Sequence, residues 1–218
     1  MLTYDEIRRD PEIRCYIEKA DASVASLGYT EHSFAHVGVS ADRCRYILET
    51  MGYDARTVEL AQIAAWLHDI GNLVNRVSHS QSGAIMAFYL LRERQMDPLE
   101  IAEIVAAIGN HDEGTGTPVS PLAAALILAD KSDVRRNRVR PDAKEYDIHD
   151  RVNYSVQESH LEIDSERTKI VLKLEIDTQY GSVMDYFEIF MQRMLMCRKA
   201  AEALNLQFRL TINGQQLM

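Results

Sequence analysis

The sequence has few cysteines, no long apolar run and no excess of positive charge, and each absence excludes a class of protein. Its three cysteines, Cys15, Cys44 and Cys197, are widely spaced, which excludes a disulfide framework or thiolate metal knot and predicts reduced thiols in the core. No apolar segment reaches the roughly 18 residues that span a bilayer. The N-terminal segment carries charges where a secretory signal needs apolar residues, so we expect a cytoplasmic protein without membrane contact.

The charge balance argues against long nucleic acid as a partner. Lysine and arginine total 24 against 33 aspartates and glutamates, a formal net charge of -9. Non-specific binding of nucleic acid depends on clustered cations that neutralise phosphates. Any phosphate chemistry must therefore use a local basic patch or a metal ion. The 46% hydrophobic content is enough for a sizeable core in one domain with a small extension.

Apolar residues recur at helical spacing through the first 140 residues and predict at least six helices. The first begins after Asp10 and Pro11, which favour a helix start, and is closed by Gly28. It is predicted over residues 13–27, and the others over 33–51, 54–70, 80–94, 98–110 and 120–135.

Alternation of period two replaces the helical spacing after Pro141 and predicts three strands, near residues 161–163, 170–176 and 208–212. A helix with Ser182 and Asp185 at its start is predicted between the second and third strands. We therefore predict a mainly α protein, with a helical body over residues 1–145 and a small α+β appendage of ββαβ order over 146–218.

The predicted appendage carries no cluster of catalytic residue types. His149 and His160 stand alone and are expected to be surface or hydrogen-bonded residues. The helical spacing of the methionine-rich stripe from Met184 to Met196 favours packing against the sheet. A homo-oligomer interface is the alternative, because methionine adapts to partner surfaces. The appendage is therefore expected to have a structural role.

Side chains that bind divalent metals fall at predicted helix ends throughout the body. Imidazole and carboxylate together suit a borderline divalent metal, and one carboxylate can bridge two ions. Neighbours on a helix point about 100° apart, so two of them share an ion only near a helix end. Aspartates that follow apolar runs need a partner or a metal to offset desolvation. The candidates are His36, His68, Asp69, His79, His111, Asp112 and Asp130.

Three segments of this set resemble the HD superfamily of metal-dependent phosphohydrolases. They are Ala35-His36-Val37, Trp66-Leu67-His68-Asp69-Ile70-Gly71 and Ile127-Leu128-Ala129-Asp130-Lys131, and the resemblance covers about residues 30 to 140. It implies an HD-type helical bundle that holds divalent metal. His79 and His111 are similar to two further histidines of the dinuclear branch, whose aspartate bridges two ions. The resemblance implies one ion held by His36, His68, Asp69 and Asp130, and another held by Asp69, His79 and His111, with Fe, Mn, Zn, Co or Mg as the metal.

The chain departs from the family pattern at one position and offers an alternative ligand at another. Many family members carry a lysine where this chain has Asn72, so the charge that could contact substrate there is absent. His32 lies one helical turn before His36 and is an alternative first ligand. We prefer His36 because it lies between apolar neighbours and matches the family spacing.

The segment from Lys131 to Arg140 carries five cations against one acid. Arginine binds phosphate oxygens in pairs, so Lys131, Arg135 and Arg138 are predicted to bind substrate. The alternative is a solvated basic helix end that faces the helix dipole. Asp69 and Asp112 are the predicted catalytic residues. The sequence does not choose between Asp112 and Glu113 as the base.

Together these residues predict a metal-dependent phosphohydrolase that acts on a nucleotide or another small phosphate ester through a metal-activated water. Two alternatives stay open. One is a di-iron oxygenase of the same superfamily, and the other is a non-catalytic nucleotide-binding sensor or scaffold.

Overall fold

The structure is a computed structural model that describes residues 1–140 and 147–218. The predicted domain boundary at residue 145 lies outside the described residues. The described part is mainly α with a small C-terminal sheet, which confirms the predicted fold class. Its helices are α1 Tyr4–Arg9, α2 Pro11–Ser26, α3 Phe34–Met51, α4 Ala55–Leu67, α5 His79–Glu93, α6 Pro98–Gly109, α7 Pro121–Lys131, α8 Ile148–Ser155 and α9 Val183–Ala203, with 3₁₀ turns at Ile70–Leu73 and Arg136–Arg138.

Local sequence fixes where the helices begin and end. The Asp10 side chain accepts hydrogen bonds from the backbone of the first turn of α2, and Pro11 occupies the first helical position. Gly52 ends α3 with a φ of 83°, a left-handed conformation that favours glycine. Helices α1 and α8 were not predicted, because six and eight residues are too few to display a periodic apolar stripe.

Helix α7 lies at the centre of the helical body. All residues from Leu122 to Lys131 are buried. The helix packs against α3, α4, α6 and α9. The last turn of α7, which carries Asp130, is therefore held inside the protein.

The sheet has the order β1-β2-β3-β4, with β1 Val156–Ile163, β2 Lys169–Ile176, β3 Gln207–Ile212 and β4 Gln215–Gln216. β1 and β2 form an antiparallel hairpin, and β3 pairs parallel to β2 after the α9 crossover. The two-residue β4 was not predicted. The capping box of Ser182 and Asp185 is present at the start of α9. Because α9 packs against both β3 and α7, it joins the sheet to the helical body.

The prediction of core thiols holds for two of the three cysteines. Cys44 and Cys197 are buried, whereas Cys15 is exposed on α2, so the prediction is wrong for Cys15. Among the described residues, no helix combines the length and apolar character that crossing a bilayer requires.

Candidate metal centre

The six predicted metal ligands converge where five helix ends meet. His36 lies in the first turn of α3, and His68 and Asp69 directly follow α4. His79 is the first residue of α5, and His111 follows the end of α6. Asp130 lies in the last turn of α7. All six side chains are buried, although they come from five separate parts of the sequence.

Each of the four histidines is oriented by a hydrogen bond from its Nδ1 atom. A carbonyl or carboxylate oxygen can only accept, so each Nδ1 carries a proton, and in the neutral imidazole Nε2 then presents a lone pair. The Nδ1 atoms of His36, His68, His79 and His111 donate to Asp133 Oδ2 at 2.7 Å, Ala65 O at 2.7 Å, Arg76 O at 3.1 Å and Ile108 O at 2.6 Å. Such outer contacts are the usual way in which metal-binding imidazoles are held.

The Nε2 atoms face one another in two pairs. His36 and His68 have their Nε2 atoms 3.3 Å apart, and His79 and His111 have theirs 3.1 Å apart. Two lone pairs at such distances repel unless a cation or a proton lies between them. Zinc–nitrogen bonds of about 2.0–2.1 Å in tetrahedral geometry place two ligand nitrogens about 3.3 Å apart. The donor set therefore fits a divalent metal.

The carboxylate of Asp69 lies between the two histidine pairs. Its Oδ2 atom is 3.3 Å from His68 Nε2 and 3.5 Å from His36 Nε2. Its Oδ1 atom is 3.5 Å from His79 Nε2 and accepts a hydrogen bond of 2.9 Å from Asn72. One oxygen thus faces each pair, which is the arrangement a bridging carboxylate requires.

Asp130 completes the first group of ligand atoms. Its Oδ1 atom is 3.3 Å from His36 Nε2 and 3.8 Å from His68 Nε2. Its Oδ2 atom lies 2.8 Å from Lys131 Nζ. The ligand atoms of His36, His68 and Asp130 lie within 4.8 Å of one another, as do those of His68, Asp69 and His111. The second group thus contains His68 where His79 was predicted, and His79 adjoins it through His111 Nε2 and Asp69 Oδ1.

The electrostatics keep the carboxylates ionised and the imidazoles of His79 and His111 neutral, whereas at His68 burial is outweighed by the carboxylates of Asp69 and Asp130, which raise the pKa. Burial alone would raise the pKa of Asp69, but His68, His32 and His79 hold it well below its usual range. Burial is likewise outweighed at Asp130, whose pKa Lys131, His36 and His68 lower. Burial lowers the pKa of His79, and it lowers that of His111 well below its usual range. Ionised carboxylates and neutral imidazoles are the forms that bind metals.

Asp133 is a functional residue that sequence reasoning missed. It is fully buried behind His36, and besides accepting a hydrogen bond from His36 Nδ1 it pairs with Arg135 at 2.6 Å. Burial would raise its pKa, but these contacts and Arg138 lower it. Its position three residues after Asp130 in the helix predicted over 120–135 was the available signal, since such residues lie on neighbouring parts of a helix surface.

The predicted substrate-binding cations lie beside the centre and are engaged by protein groups. Lys131 Nζ lies 2.8 Å from Asp130 and 3.3 Å from Glu113. Arg135 pairs with Asp133, and Arg138 donates to the backbone oxygens of Glu31 and Asp133. Arg138 also lines a cavity next to the centre. A role of these three residues in substrate binding stays a prediction.

The two candidate bases after α6 differ in their surroundings. Glu113 is held between Lys131 and Arg193, and these cations outweigh its burial and lower its pKa to about 2. Asp112 is half-buried and close enough to His79 to raise the pKa of that imidazole, although burial outweighs this effect. Glu113 is thus occupied by ion pairs, and Asp112 remains our predicted catalytic residue of the two.

His32 lies outside the two groups of ligand atoms. Its Nδ1 atom donates to Thr30 O at 2.7 Å, and its ring centroid is 5.7 Å from that of His36. Arg76, which sequence reasoning missed, brings a cation next to Asn72, the residue that stands where many family members carry a lysine. Its Nη1 atom donates to Asn72 Oδ1 at 3.2 Å and lies 4.0 Å from Asp69 Oδ1.

The part of the chain that holds this centre matches a known protein family. A family model described as HD domain matches residues 32–135, which include all six predicted ligands and Asp133. The helical body contains an HD domain. This HD domain and its buried cluster of histidines and aspartates indicate divalent metal binding and a relation to the metal-dependent hydrolases at the level of the superfamily.

The similarity to one curated relative extends beyond the HD domain. The chain is 24% identical over 173 residues to an uncharacterized protein of Methanocaldococcus jannaschii, and the match covers 68% of this chain and 66% of that protein. The chain thus spans slightly less than two thirds of the relative's length. No solved structure matches the chain.

Proposed function

We propose that this HD-domain protein is a metal-dependent phosphohydrolase that acts on a nucleotide or another small phosphate ester. The observation that carries the proposal is the pair of facing histidine couples with one Asp69 oxygen directed at each. His36, His68, Asp69 and Asp130 would hold one ion, and Asp69, His79 and His111 the other. Two divalent ions, when bound, lower the pKa of water and polarise phosphoryl oxygens.

The residues of the chain would prepare the site before substrate arrives. The Nδ1 hydrogen bonds fix the imidazole rings, so little reorganisation is needed on binding. Arg76 places positive charge beside Asp69. This charge would offset the repulsion between the Asp69 carboxylate and an approaching phosphate. Asp112, half-buried next to His79, is our candidate for the group that accepts a proton from the attacking water.

Water is the nucleophile that this arrangement favours. Two of the cysteines, Cys44 and Cys197, are buried, and burial raises the pKa of both, in the case of Cys197 to about 12. Neither therefore supplies a thiolate at neutral pH. The net charge of -9 supports a small phosphorylated substrate over long nucleic acid.

Metal analysis of the purified protein, followed by a phosphate-release screen over nucleotides and small phosphate esters, tests the proposal. We expect metal-dependent release that chelation abolishes and that Asp69→Asn removes. His160→Ala is the matched control, because the His160 side chain is exposed on the sheet and its Nε2 atom lies 3.2 Å from Glu158. Dioxygen consumption by iron-loaded protein without phosphate release would favour the oxygenase alternative. Nucleotide binding without turnover would favour the sensor alternative.

A further inference from the structure

A cavity of about 100 Å³ lies beside the metal centre and is built from both parts of the chain. The helical body contributes His32 and Arg76 to its wall. The C-terminal part contributes Asp150 and Asn153 of α8 and Phe190 and Arg193 of α9. The appendage thus reaches the neighbourhood of the centre.

Two lining residues connect the cavity to the predicted ligands. The His32 ring lies edge-on to the His36 ring, with centroids 5.7 Å apart. Arg76 Nη1 lies 3.4 Å from His79 Nε2 and 4.0 Å from Asp69 Oδ1. A ligand that contacts His32 and Arg76 would therefore be one side chain away from each histidine pair.

Arg76 and Arg193 present unused hydrogen-bond donors at this cavity. Both are mostly buried, with side-chain exposures of 22% and 24%. Arg76 uses Nη1 alone, and Arg193 directs Nε towards Glu113 at 2.6 Å while its guanidinium lies over the Phe190 ring. Within the described residues, no hydrogen bond uses Nε or Nη2 of Arg76 or either terminal nitrogen of Arg193.

This combination is suited to an anion. The planar guanidinium group binds phosphate or carboxylate oxygens in pairs, and a buried cation with unused donors gains most from such a partner. Arg138 lines the same cavity but donates to backbone oxygens of Glu31 and Asp133, so it supports the wall and offers less to a ligand.

Two further polar residues of the wall, Asn153 and Asp150, add acceptors. Asn153 donates its amide to His149 O, which leaves its Oδ1 atom as an acceptor. Asp150 is buried at the start of α8. Carboxylate and amide oxygens accept hydrogen bonds from hydroxyl groups. The cavity is smaller than the roughly 300–1,000 Å³ of sites for drug-sized ligands, which favours a compact ligand.

We propose that this cavity binds a compact, hydroxyl-bearing phosphate ester, with Arg76 and Arg193 contacting its anionic group and Asp150 and Asn153 its hydroxyl groups. The proposal rests on the proposed function and narrows its substrate class. It also gives the appendage a part in the binding site, against the expectation of a purely structural role.

Equilibrium binding of inorganic phosphate to the metal-loaded full chain tests the arginines. We expect Arg193→Gln and Arg76→Gln each to weaken phosphate binding about ten- to hundredfold, the effect of losing a charge-assisted hydrogen bond. Arg198→Gln is the matched control, because Arg198 is exposed one and a half turns later on the same helix. Wild-type binding by both cavity variants, or no phosphate binding by the wild-type protein, would overturn the anion site.

Binding of glycerol phosphate and of adenosine monophosphate tests the size of the ligand. We expect glycerol phosphate to bind more tightly and Asn153→Leu to weaken it while leaving inorganic phosphate unaffected. Tighter binding of the nucleotide would overturn the compact-ligand proposal. Arginine-dependent phosphate binding without ester hydrolysis would leave the cavity proposal standing and remove the proposed function. Hydrolysis that is unchanged in both arginine variants would overturn the cavity proposal and leave the proposed function standing.

Discussion

The Nδ1 atom of His36 lies 2.7 Å from Oδ2 of Asp133, and neither side chain is exposed to solvent. This contact joins the first turn of α3 to the segment that follows α7, across 97 positions of sequence. It fixes the ring so that Nε2 faces His68 and Asp130. Asp133 therefore acts on the metal centre without being one of its predicted ligands.

Asp133→Asn should lower metal affinity about 10- to 100-fold, the usual effect of losing an outer partner of a metal-binding histidine. The amide keeps the size of the side chain but removes the charge that favours a donating Nδ1. Metal titration of the apoprotein measures the change. Asp42→Asn, an exposed acid on the same helix as His36, should leave affinity unchanged. Equal affinities in both variants would contradict a positioning role for Asp133.

The second prediction follows from the position of Asp69 between the two histidine pairs. Metal analysis should find two divalent ions per chain in the wild-type protein. Asp69→Ala should empty both positions, because its two oxygens face different pairs, whereas His79→Ala should lose one ion. Asp69→Asn provides a second variant of the same size if the alanine protein folds poorly. Full metal content in a folded Asp69 variant would exclude the bridging role.

The ligand positions could be predicted because they combine two local signals. His68, Asp69 and Asp130 each follow an apolar run that marks a buried helix, and helix ends are where polar side chains from different helices can meet. The family resemblance supplied the grouping of these residues. Their convergence depends on tertiary packing, which the spacing alone does not contain.

The partners of the arginines could not be predicted from charge counts. Arg138 and Arg140 belong to the basic run, yet both donate to backbone oxygens of the 29–31 segment. Arg76 lies in the connection before α5, where no periodic pattern fixes the direction of a side chain. A sequence shows how many cations a segment carries, and the fold determines whether they contact carbonyls, carboxylates or a ligand.

The third prediction concerns stability and pH. Asp10 caps α2 and lies 2.8 Å from Arg94 Nε, with both side chains mostly buried. Burial would raise the pKa of Asp10, but Arg94 and the backbone donors lower it. Asp10→Asn keeps a capping oxygen and loses the charge, so we expect the free energy of unfolding at pH 7 to fall by about 1 kcal/mol.

The sign of the pH dependence follows from that lowered pKa. An aspartate titrates near 3.9 in the unfolded chain, so the Asp10 contribution is present above that pH and is lost as the pH falls through the lower folded value. Urea denaturation of wild type and Asp10→Asn between pH 7 and pH 3 should show their difference shrinking at the acid end. Arg94→Gln should reduce the effect of the Asp10 substitution to the part that comes from the backbone donors. A difference that stays constant down to pH 3 would exclude the ion pair as its source.

The last prediction concerns Gly71, where α5 crosses the 3₁₀ turn that follows the ligand pair. A Cβ atom at Gly71 would overlap the carbonyl oxygen of His79 and the backbone nitrogen of Gly83, so the two backbones pack too closely for any larger residue. Neither contact is a flexible side chain that could move aside. Gly71→Ala must therefore displace the start of α5, and with it the ring of His79.

We expect Gly71→Ala to lower the free energy of unfolding by about 2–3 kcal/mol, in the range of overpacked cores, and to reduce metal content at the His79 and His111 pair first. Gly38→Ala is the matched control: it lies inside α3 with no atom within 4 Å of the added Cβ. That substitution should stabilise the protein by roughly 0.5–1 kcal/mol, because glycine weakens a helix interior. Urea denaturation and metal analysis of both variants make the comparison. If Gly71→Ala were as stable as wild type with full metal content, the close packing of α5 on the turn would not be what positions His79.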